Sequence, residues 1–315
     1  MSEILPFTRY GSLRVPGAGD MISCFLSRYG EWSFLETDFV LRMLPTGARV
    51  LDGGAFVGTF SLGMMGCAPT RIVAIEASGL VHPMLVENLT RNCHTSFDAP
   101  HVVMGLPGEA SRVPTQSPRD NLGASSFLAS KDTEGDATDD ANAPAVTSLA
   151  DIRLCYGEFD LIKLDIEGAE LQVLQSDAEW LRQHRPLLWV ECNESPLSLQ
   201  LFRLIAGLGY EVYYMAYPSH NPDNFRHESE PTFPVAYEAG LLAVPPGREV
   251  TLSDLHRLRG CELIRVRDSE HLRQCLWVTP RWGLKSWMDM PASRLLAICS
   301  HLHRRESFDE FLKPI

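Results

Sequence analysis

The chain is constrained most by a regular alternation between short apolar runs and stretches with helical spacing. Each run is nearly continuous in apolar residues and ends in a polar or acidic residue, which is typical of parallel strands covered on both faces by crossover helices. The alternation predicts a doubly wound, mostly parallel α/β sheet. The five predicted strands are Arg49–Gly53, Arg71–Ala77, His101–Leu106, Asp160–Asp165 and Leu187–Cys192. The predicted helices between them are Gly58–Gly66, His82–Asn92 and Ala169–Arg182.

Departures from this alternation divide the chain. Two later apolar runs, Glu211–Ala216 and Gly240–Pro245, are joined by a long connection, which favours an antiparallel pair at a sheet edge. A polar stretch at about 107–147 predicts a surface insertion, with a hairpin around Leu122–Leu128 and an acidic loop at 132–140. We therefore expect a helical lead-in at 1–45, the doubly wound domain at 46–250 and a helical C-terminal extension at 251–315.

Charge and composition limit the class of partner. The 315 residues include 28 Lys+Arg and 40 Asp+Glu, a formal net charge of -12 that argues against a general nucleic-acid binder. No apolar run reaches the roughly 18 residues that a membrane helix needs, and the first residues lack the pattern of a signal peptide. The eight cysteines contain no C-x-x-C pair, as in a reduced cytoplasmic protein. We expect a cytoplasmic protein without nucleic-acid or membrane partners, either monomeric or a homodimer.

The strongest local motif is the stretch VLDGGAFVGTFSL, in which the first predicted strand ends at Asp52 and a helix follows. Three glycines lie in the turn, Gly53, Gly54 and Gly58. Glycine at such a turn lets the backbone approach a ligand closely. Glu76 ends the second strand, 24 positions after Asp52, where an acid is placed to bind both hydroxyls of a ribose. The alternative is structural: any strand–helix turn can use glycine, and a strand-end acid can cap a helix.

The same turn favours one nucleotide ligand over another. A dinucleotide site would read G-x-G-x-x-G with backbone amides on a pyrophosphate, whereas this turn reads D-G-G-A-F-V-G. An acid at the strand end would repel a pyrophosphate and suits a cationic ligand with an amino group and a sulfonium. The motif therefore favours S-adenosylmethionine over NAD. An NAD-dependent oxidoreductase and a non-catalytic S-adenosylmethionine-binding module stay as alternatives.

Several further stretches resemble the FkbM family of class I, S-adenosylmethionine-dependent methyltransferases. They are YGEWSFLE at Tyr29–Glu36, NLGASSF at Asn121–Phe127, DLIKLDIEGAELQVL at Asp160–Leu174, PLLWVECNE at Pro186–Glu194, and Tyr213–Phe225, which ends in NPDNF. The resemblance spans roughly residues 29–245. The chain departs from the family pattern at Phe56, where Asn is usual, and at Cys192, which follows Glu191 in place of Asn. The segment beyond residue 250 has no counterpart in the family pattern.

This resemblance implies a Rossmann-like, seven-stranded sheet whose last two strands are antiparallel. It also implies methyl transfer to a small-molecule acceptor, most simply a hydroxyl of a natural product or sugar. The residues predicted to contact the cofactor are Asp52, Gly53, Gly54, Ala55, Phe56, Gly58, Glu76, Ala77 and Asp165. The residues predicted to contact the acceptor are Glu167, Asn193, Tyr213, His220, Asn221 and Asn224.

The fourth predicted strand supplies the candidate catalytic residues. Lys163 and Asp165 share one face by the period of two, near the carboxyl end where doubly wound folds bind substrates. A lysine in an apolar strand needs a carboxylate partner. We hypothesise that Asp165 or Glu191 orients the acceptor or takes its proton, with Lys163 as a third candidate. Glu170 is equally compatible with a functional role and with a helix-start acid. No His or Cys ligand spacing predicts a metal site.

Overall fold

The computed structural model describes residues 2–106, 144–193, 196–233 and 236–279. The predicted hairpin at 122–128, the acidic loop at 132–140 and most of the C-terminal extension lie outside these residues. Within the described ranges, no helix is both long and apolar enough to cross a membrane.

The strands form one large sheet and two small ones. In chain order they are β1 (Glu3–Thr8), β2 (Gly11–Val15), β3 (Arg49–Gly53), β4 (Arg71–Ile75), β5 (Ser96–Asp98), β6 (Val103–Met104), β7 (Val146–Thr147), β8 (Leu161–Leu164), β9 (Leu187–Glu191), β10 (Glu211–Pro218), β11 (Tyr237–Val244) and β12 (Glu262–Arg265). The large sheet has the order β12-β10-β11-β9-β8-β3-β4-β5. Strands β5, β4, β3, β8 and β9 run parallel to one another. Beyond β9, the strands β11, β10 and β12 follow in this order, and each is antiparallel to the strand before it. The predicted doubly wound, mostly parallel fold of the class I methyltransferase type is confirmed.

The helices cover both faces of this sheet. They are α1 (Met21–Tyr29), α2 (Phe34–Arg42), α3 (Thr59–Gly63), α4 (His82–Asn92), α5 (Leu149–Tyr156), α6 (Glu170–Gln175), α7 (Ala178–His184), α8 (Pro196–Gly207), α9 (Asp254–Leu258) and α10 (Ser269–Val278). Adjacent residues of β3 show the two layers. Val50 packs in the layer of Phe39 and Leu85, and Leu51 packs in the layer of Val173 and Ile205. Burial on both faces explains why the strands read as continuous apolar runs.

The third strand of the sheet differs from the sequence prediction. It is β5, at Ser96–Asp98, and not His101–Leu106. Within the latter run only Val103–Met104 is a strand, and it pairs with β7 in a separate two-stranded sheet. Both of its residues are buried, so the run is apolar because it packs, although it adds no strand to the large sheet.

Both ends of the described chain also differ from prediction. The lead-in at 1–45 begins with the β1–β2 hairpin before its two helices. The side-chain amide of Asn88 holds this hairpin on α4: it accepts from the amide of Arg14 and donates to the carbonyls of Arg14 and Val57. The extension after residue 250 is not wholly helical, because β12 pairs with β10 as an eighth strand. The short, charged sequence of β12 is typical of an edge strand and carries little apolar signal.

A buried lysine joins the two central strands. The ammonium of Lys163 on β8 lies 3.2 Å from Oδ1 of Asp52 on β3 and 3.4 Å from Oδ2 of Asp165, and it donates to the carbonyl of Gly54 at 3.1 Å. The side chain of Lys163 is 6% exposed and that of Asp52 is not exposed. Burial lowers the pKa of the ammonium, but the carboxylates of Asp52 and Asp165 outweigh burial and hold that pKa above its ordinary value. The lysine is therefore a charged cross-link between β3 and β8.

Replacing Lys163 with Met should lower the free energy of unfolding by about 3–5 kcal/mol, because Asp52 would stay buried without a cation. The double variant Asp52→Asn/Lys163→Met removes both charges and should recover much of that loss. Urea denaturation followed by circular dichroism measures both values. A Lys163→Met variant as stable as the wild type would show that the ion pair does not support the sheet.

Candidate functional site

A cavity opens at the carboxyl ends of β3, β4, β8 and β9. From β3 the chain moves outward to β4 and β5, and from β8 it moves the other way to β9, so strand order reverses between β3 and β8. Doubly wound folds bind ligands at such a reversal. The cavity is lined by predicted residues and by others that were not predicted. The carboxyl-bearing residues among them are Glu36, Glu76, Asp165, Glu167, Glu191 and Glu238.

The turn from β3 into α3 forms one wall. Its backbone is left-handed at Gly54 (φ 74), Phe56 (φ 49) and Gly58 (φ 91). A Cβ at residue 54 would overlap the backbone oxygen of Asp165, so only glycine fits there. Phenylalanine rarely adopts the left-handed conformation of Phe56. Asparagine, which is usual at this position in the FkbM family pattern, tolerates that conformation better. Replacing the usual asparagine with Phe56 therefore makes the backbone conformation less favourable at this position. The side chain of Phe56 lines the cavity.

Glu76 follows β4 and is fixed by the same turn. Its Oε2 accepts from the amide of Phe56 at 2.9 Å, and its Oε1 accepts from the amide of Ser78 at 2.7 Å. The residue is 8% exposed, and burial raises its pKa to about 7 although both amides oppose that rise. Each oxygen keeps a second lone pair. A fixed pair of acceptors beside a glycine turn fits the two hydroxyls of a ribose.

The turn after β8 is held by Glu170. Its Oε1 accepts from the amides of Ile166 and Gly168, at 3.0 and 3.2 Å. These two bonds give Glu170 a structural role in the turn. The bonds shape a turn in which Glu167 (φ 57) and Gly168 (φ 101) are both left-handed. This turn places Asp165 and Glu167 in the wall of the cavity.

Three carboxylates converge beyond the strand ends. Oxygens of Asp165, Glu167 and Glu191 lie within 4.8 Å of one another, a spacing at which they could share a cation. The sequence predicted no metal site, and the three acids come from two separate segments, the turn after β8 and the end of β9. Burial is the largest influence that raises the pKa of Glu167, and the negative charges of Asp165 and Glu170 add to it. Together they raise this pKa to about 8.

Some residues predicted to contact the cofactor lie behind the wall of the cavity. Asp52 has no exposed surface and accepts from the hydroxyl of Ser61 at 2.7 Å, in addition to its ion pair with Lys163. A Cβ at Gly53 would lie 2.7 Å from the sulfur of Met104, and one at Gly58 would lie 3.0 Å from Leu85. These three residues shape the turn and do not line the cavity, so the structure does not support direct cofactor contacts by them. Ala55, Phe56, Glu76, Ala77, Asp165 and the backbone of Gly54 do line the cavity.

The loop that carries NPDNF packs away from the cavity. Asn221 donates to Glu31 at 2.9 Å, and Asn224 donates to the carbonyls of Asn221 and Glu228. The ring of His220 packs on Tyr29, with ring centroids 5.1 Å apart. These amides are used in shaping the loop, so the structure does not support acceptor contacts by His220, Asn221 and Asn224.

Two more predicted acceptor contacts are indirect or absent. Tyr213 donates to Glu211 at 3.4 Å and does not line the cavity. Asn193 donates to Oε1 of Glu191 at 3.0 Å and so acts on a residue that does line it. Lys163 lines the cavity, but its three donor hydrogens face Asp52, Asp165 and Gly54, which makes it a positioning residue.

Sequence reasoning missed the part of the cavity wall that contains Glu36. Glu36 from α2 accepts from the indole of Trp189 at 2.5 Å and from the hydroxyl of Tyr217 at 2.9 Å, and all three line the cavity. The available signal was Glu36 at the end of the stretch YGEWSFLE, in the first turn of a helix that also carries Asp38. Nothing in the sequence showed that this acid meets side chains from β9 and β10.

Comparisons with known proteins give a match to one family model. The family model described as "Methyltransferase FkbM domain" matches residues 65–212, just under half of the chain. A search of curated proteins finds no match. Among solved structures, a methyltransferase FkbM from Methylobacillus flagellatus KT is 18% identical, with a TM-score of 0.43 over 70% of this chain and 51% of that one. This chain thus spans about half the length of that protein.

Two further structures show weaker likeness. Precorrin-6y C5,15-methyltransferase from Geobacter metallireducens GS-15 is 10% identical, with a TM-score of 0.41 over 67% of this chain and 87% of that one. An O-methyltransferase from Bacillus cereus in complex with SAH is 13% identical, with a TM-score of 0.36 over 67% and 80%. The fold itself is seen directly in the strand order of the sheet. The family match confirms the resemblance predicted from the sequence: residues 65–212 match the model of the FkbM methyltransferase domain.

Proposed function

We propose that the protein is an S-adenosylmethionine-dependent O-methyltransferase that acts on a hydroxyl of a small molecule, a natural product or a sugar. The observation that carries this proposal is the fixed carboxyl of Glu76 beside the left-handed turn at Gly54 and Phe56. This pair of features provides a ribose site without the amide cradle of a pyrophosphate site. The FkbM domain supports methyl transfer as the reaction.

The two ends of the cavity have different tasks in this proposal. Glu76, Ala77 and the turn after β3 hold the nucleoside, because they lie at the ends of β3 and β4. The acceptor occupies the other end, which is lined by residues of β9, β10 and β11. S-adenosylmethionine, when bound, supplies a methyl group on a sulfonium with an excellent leaving group.

The chain supplies alignment and proton removal. In-line displacement needs the acceptor oxygen about 3 Å from the methyl carbon, and a hydroxyl must lose its proton near the transition state. Asp165 and Glu191 end adjacent strands on the acceptor side of Glu76. Either carboxylate can orient a hydroxyl by accepting its hydrogen bond or can take its proton.

The test of this function is calorimetry with S-adenosylhomocysteine and NAD side by side. S-adenosylhomocysteine should bind in the micromolar range and NAD should not bind at the same concentrations. Glu76→Gln should weaken S-adenosylhomocysteine binding by about tenfold or more, because the ribose loses a charged acceptor. Glu191→Gln, which also changes a cavity acid, is the matched control and should bind normally. Binding of NAD alone would contradict the proposal.

The same binding should depend on pH through Glu76. Ribose hydroxyls donate to the ionised carboxyl, whose pKa is about 7 in the free protein. Affinity should therefore fall as pH drops through 7, by about tenfold between pH 8 and pH 6. Glu76→Gln should bind equally at both values. A wild-type affinity that is constant over this range would show that Glu76 does not titrate or does not bind the ribose.

Asp165→Ala and Glu191→Ala should each reduce methylation by about a hundredfold while changing S-adenosylhomocysteine affinity little. Transfer of a labelled methyl group to a panel of hydroxylated small molecules measures the first quantity, and calorimetry measures the second. Full activity in both variants would remove these residues from the proposed mechanism.

The left-handed backbone of Glu167 provides a test that separates strain from charge. This conformation costs a residue other than glycine about 1–2 kcal/mol, and asparagine tolerates it better than most residues. Glu167→Asn should therefore unfold with a free energy about 0.5–1 kcal/mol higher than that of Glu167→Gln, which removes the charge but keeps the strain. If Glu167→Gln is the more stable variant in urea denaturation, the strain is not located at residue 167.

A further inference from the structure

Glu36 occupies an unusual place for a carboxyl group. It belongs to α2, ahead of the first strand of the doubly wound domain and outside residues 65–212. It is 8% exposed and lines the cavity together with Trp189 of β9 and Tyr217 of β10. The segment before the matched domain therefore contributes a buried acid to the acceptor end of the cavity.

The two hydrogen bonds fix this carboxyl without neutralising it. Oε1 accepts from Nε1 of Trp189 at 2.5 Å, and Oε2 accepts from Oη of Tyr217 at 2.9 Å. Neither donor carries a positive charge, and each oxygen keeps a second lone pair. The carboxyl is thus held in one orientation by side chains from two strands, with capacity for another hydrogen bond.

This arrangement is costly for the fold. Burying a carboxylate without a cation at bonding distance is unfavourable, and an apolar side chain of similar size would commonly be as stable or more stable. Desolvation is the largest influence on the group and raises the pKa of Glu36 to about 7, with Lys163 opposing that rise and Asp165 adding to it. A carboxyl that can gain or lose a proton near neutral pH and faces a ligand cavity has the properties of a general base.

We propose that Glu36 is the catalytic residue that takes the proton from the acceptor hydroxyl, with Asp165 and Glu191 orienting the acceptor. This proposal rests on the proposed O-methyltransferase function. The acceptor oxygen forms a bond to the methyl carbon while the carbon–sulfur bond breaks and its electron pair goes to sulfur. The hydroxyl proton moves to the free lone pair of one Glu36 oxygen. The sulfonium and the Glu36 carboxylate thus lose their charges together.

Three other acids of the cavity, Asp165, Glu191 and Glu76, fit this role less well. Asp165 is already in an ion pair with Lys163 at 3.4 Å, and its side chain is 43% exposed, so its charge is offset and hydrated. Glu191 accepts from Asn193 at 3.0 Å, and Glu76 is turned to the nucleoside end. Glu36 alone among these combines nine-tenths burial, neutral partners and a place at the acceptor end.

The charged and titratable groups around Glu36 determine its response to a cation. They are Lys163 and Asp165 from β8 and the turn after it, Tyr217 from β10, Glu238 from β11 and Tyr10 from the N-terminal hairpin. Burial, and then the charge of Glu36, hold the pKa of Tyr217 above its ordinary value, so Tyr217 stays a neutral donor at neutral pH. A sulfonium entering this environment favours the ionised form of Glu36 and should displace its proton.

The test counts protons released when the cofactor binds, and it needs no knowledge of the acceptor. Calorimetry in two buffers of different ionisation enthalpy gives this number for S-adenosylmethionine and for S-adenosylhomocysteine at pH 7. Both ligands bring the ribose to Glu76, but only the first carries a sulfonium. In the wild type, S-adenosylmethionine should release about 0.4 proton more than S-adenosylhomocysteine. This number is expected if Glu36 is half ionised at pH 7 and the sulfonium lowers its pKa by about one unit.

Matched variants assign that difference to one residue. Glu36→Gln should abolish it and leave the affinity for S-adenosylhomocysteine within about threefold of the wild type. Tyr217→Phe keeps the carboxyl of Glu36 but removes a hydrogen bond that stabilises its ionised form, which should raise its pKa. The difference in proton release between the two ligands should then be largest at a higher pH than in the wild type. A difference that survives in Glu36→Gln, or that vanishes in Glu167→Gln instead, overturns the role of Glu36. Failure of both ligands to bind the wild type would instead overturn the proposed function.

Methylation provides a second readout. On any hydroxyl acceptor that the wild type methylates, Glu36→Gln should lower kcat by about a hundredfold with little change in the KM for S-adenosylmethionine. In Tyr217→Phe the rise of kcat with pH should move to higher pH, a shift that a merely structural role for Glu36 would not produce. Equal kcat values for wild type and Glu36→Gln would overturn the proposal.

Discussion

The ion pair between Lys163 and Asp52 is the interaction on which the site depends. It joins β3 and β8 at the position where strand order reverses, so the two turns that build the cavity start from strands tied by one buried charge pair. The same ammonium donates to Gly54 and approaches Asp165, one residue from each turn. A hydrophobic pair would hold the strands together as well, but it would not fix these two polar groups at the cavity wall.

The turns that leave these strands are shaped by carboxyl groups that bind backbone amides. Glu76 binds the amide of Phe56, and Glu170 binds the amides of Ile166 and Gly168. Both turns contain a residue other than glycine in the left-handed region, Phe56 in the first and Glu167 in the second. Backbone strain of this kind persists where surrounding contacts fix it, and it is common at functional sites. The acidic excess of the chain is concentrated in part around this cavity.

Much of the sheet could be predicted because its central strands are buried on both faces and therefore read as apolar runs. The prediction for β5 failed because Ser96–Asp98 has only three residues, while the nearby apolar run packs against the cavity. The hairpin at the N-terminus and β12 were missed because edge strands carry a weaker pattern. The wall of the cavity could be predicted where a motif is local, as at Glu76 and Asp165, which both line it. It was missed where side chains meet across distant segments, as Glu36 meets Trp189 and Tyr217. The sequence predicted acceptor contacts for the asparagines of the NPDNF loop, whose side chains instead shape the loop. Amides that shape a loop and amides that bind a ligand cannot be told apart from the sequence.

A crystal structure of the protein with S-adenosylhomocysteine bound tests the central claim most directly. The account predicts both ribose hydroxyls on the carboxyl of Glu76, with the sulfur facing the end of the cavity lined by Glu36 and Asp165. It also predicts that the Lys163–Asp52 pair stays intact beneath the ligand. Binding elsewhere, or a ribose that leaves Glu76 without a contact, would contradict the assignment of this cavity as the site of methyl transfer.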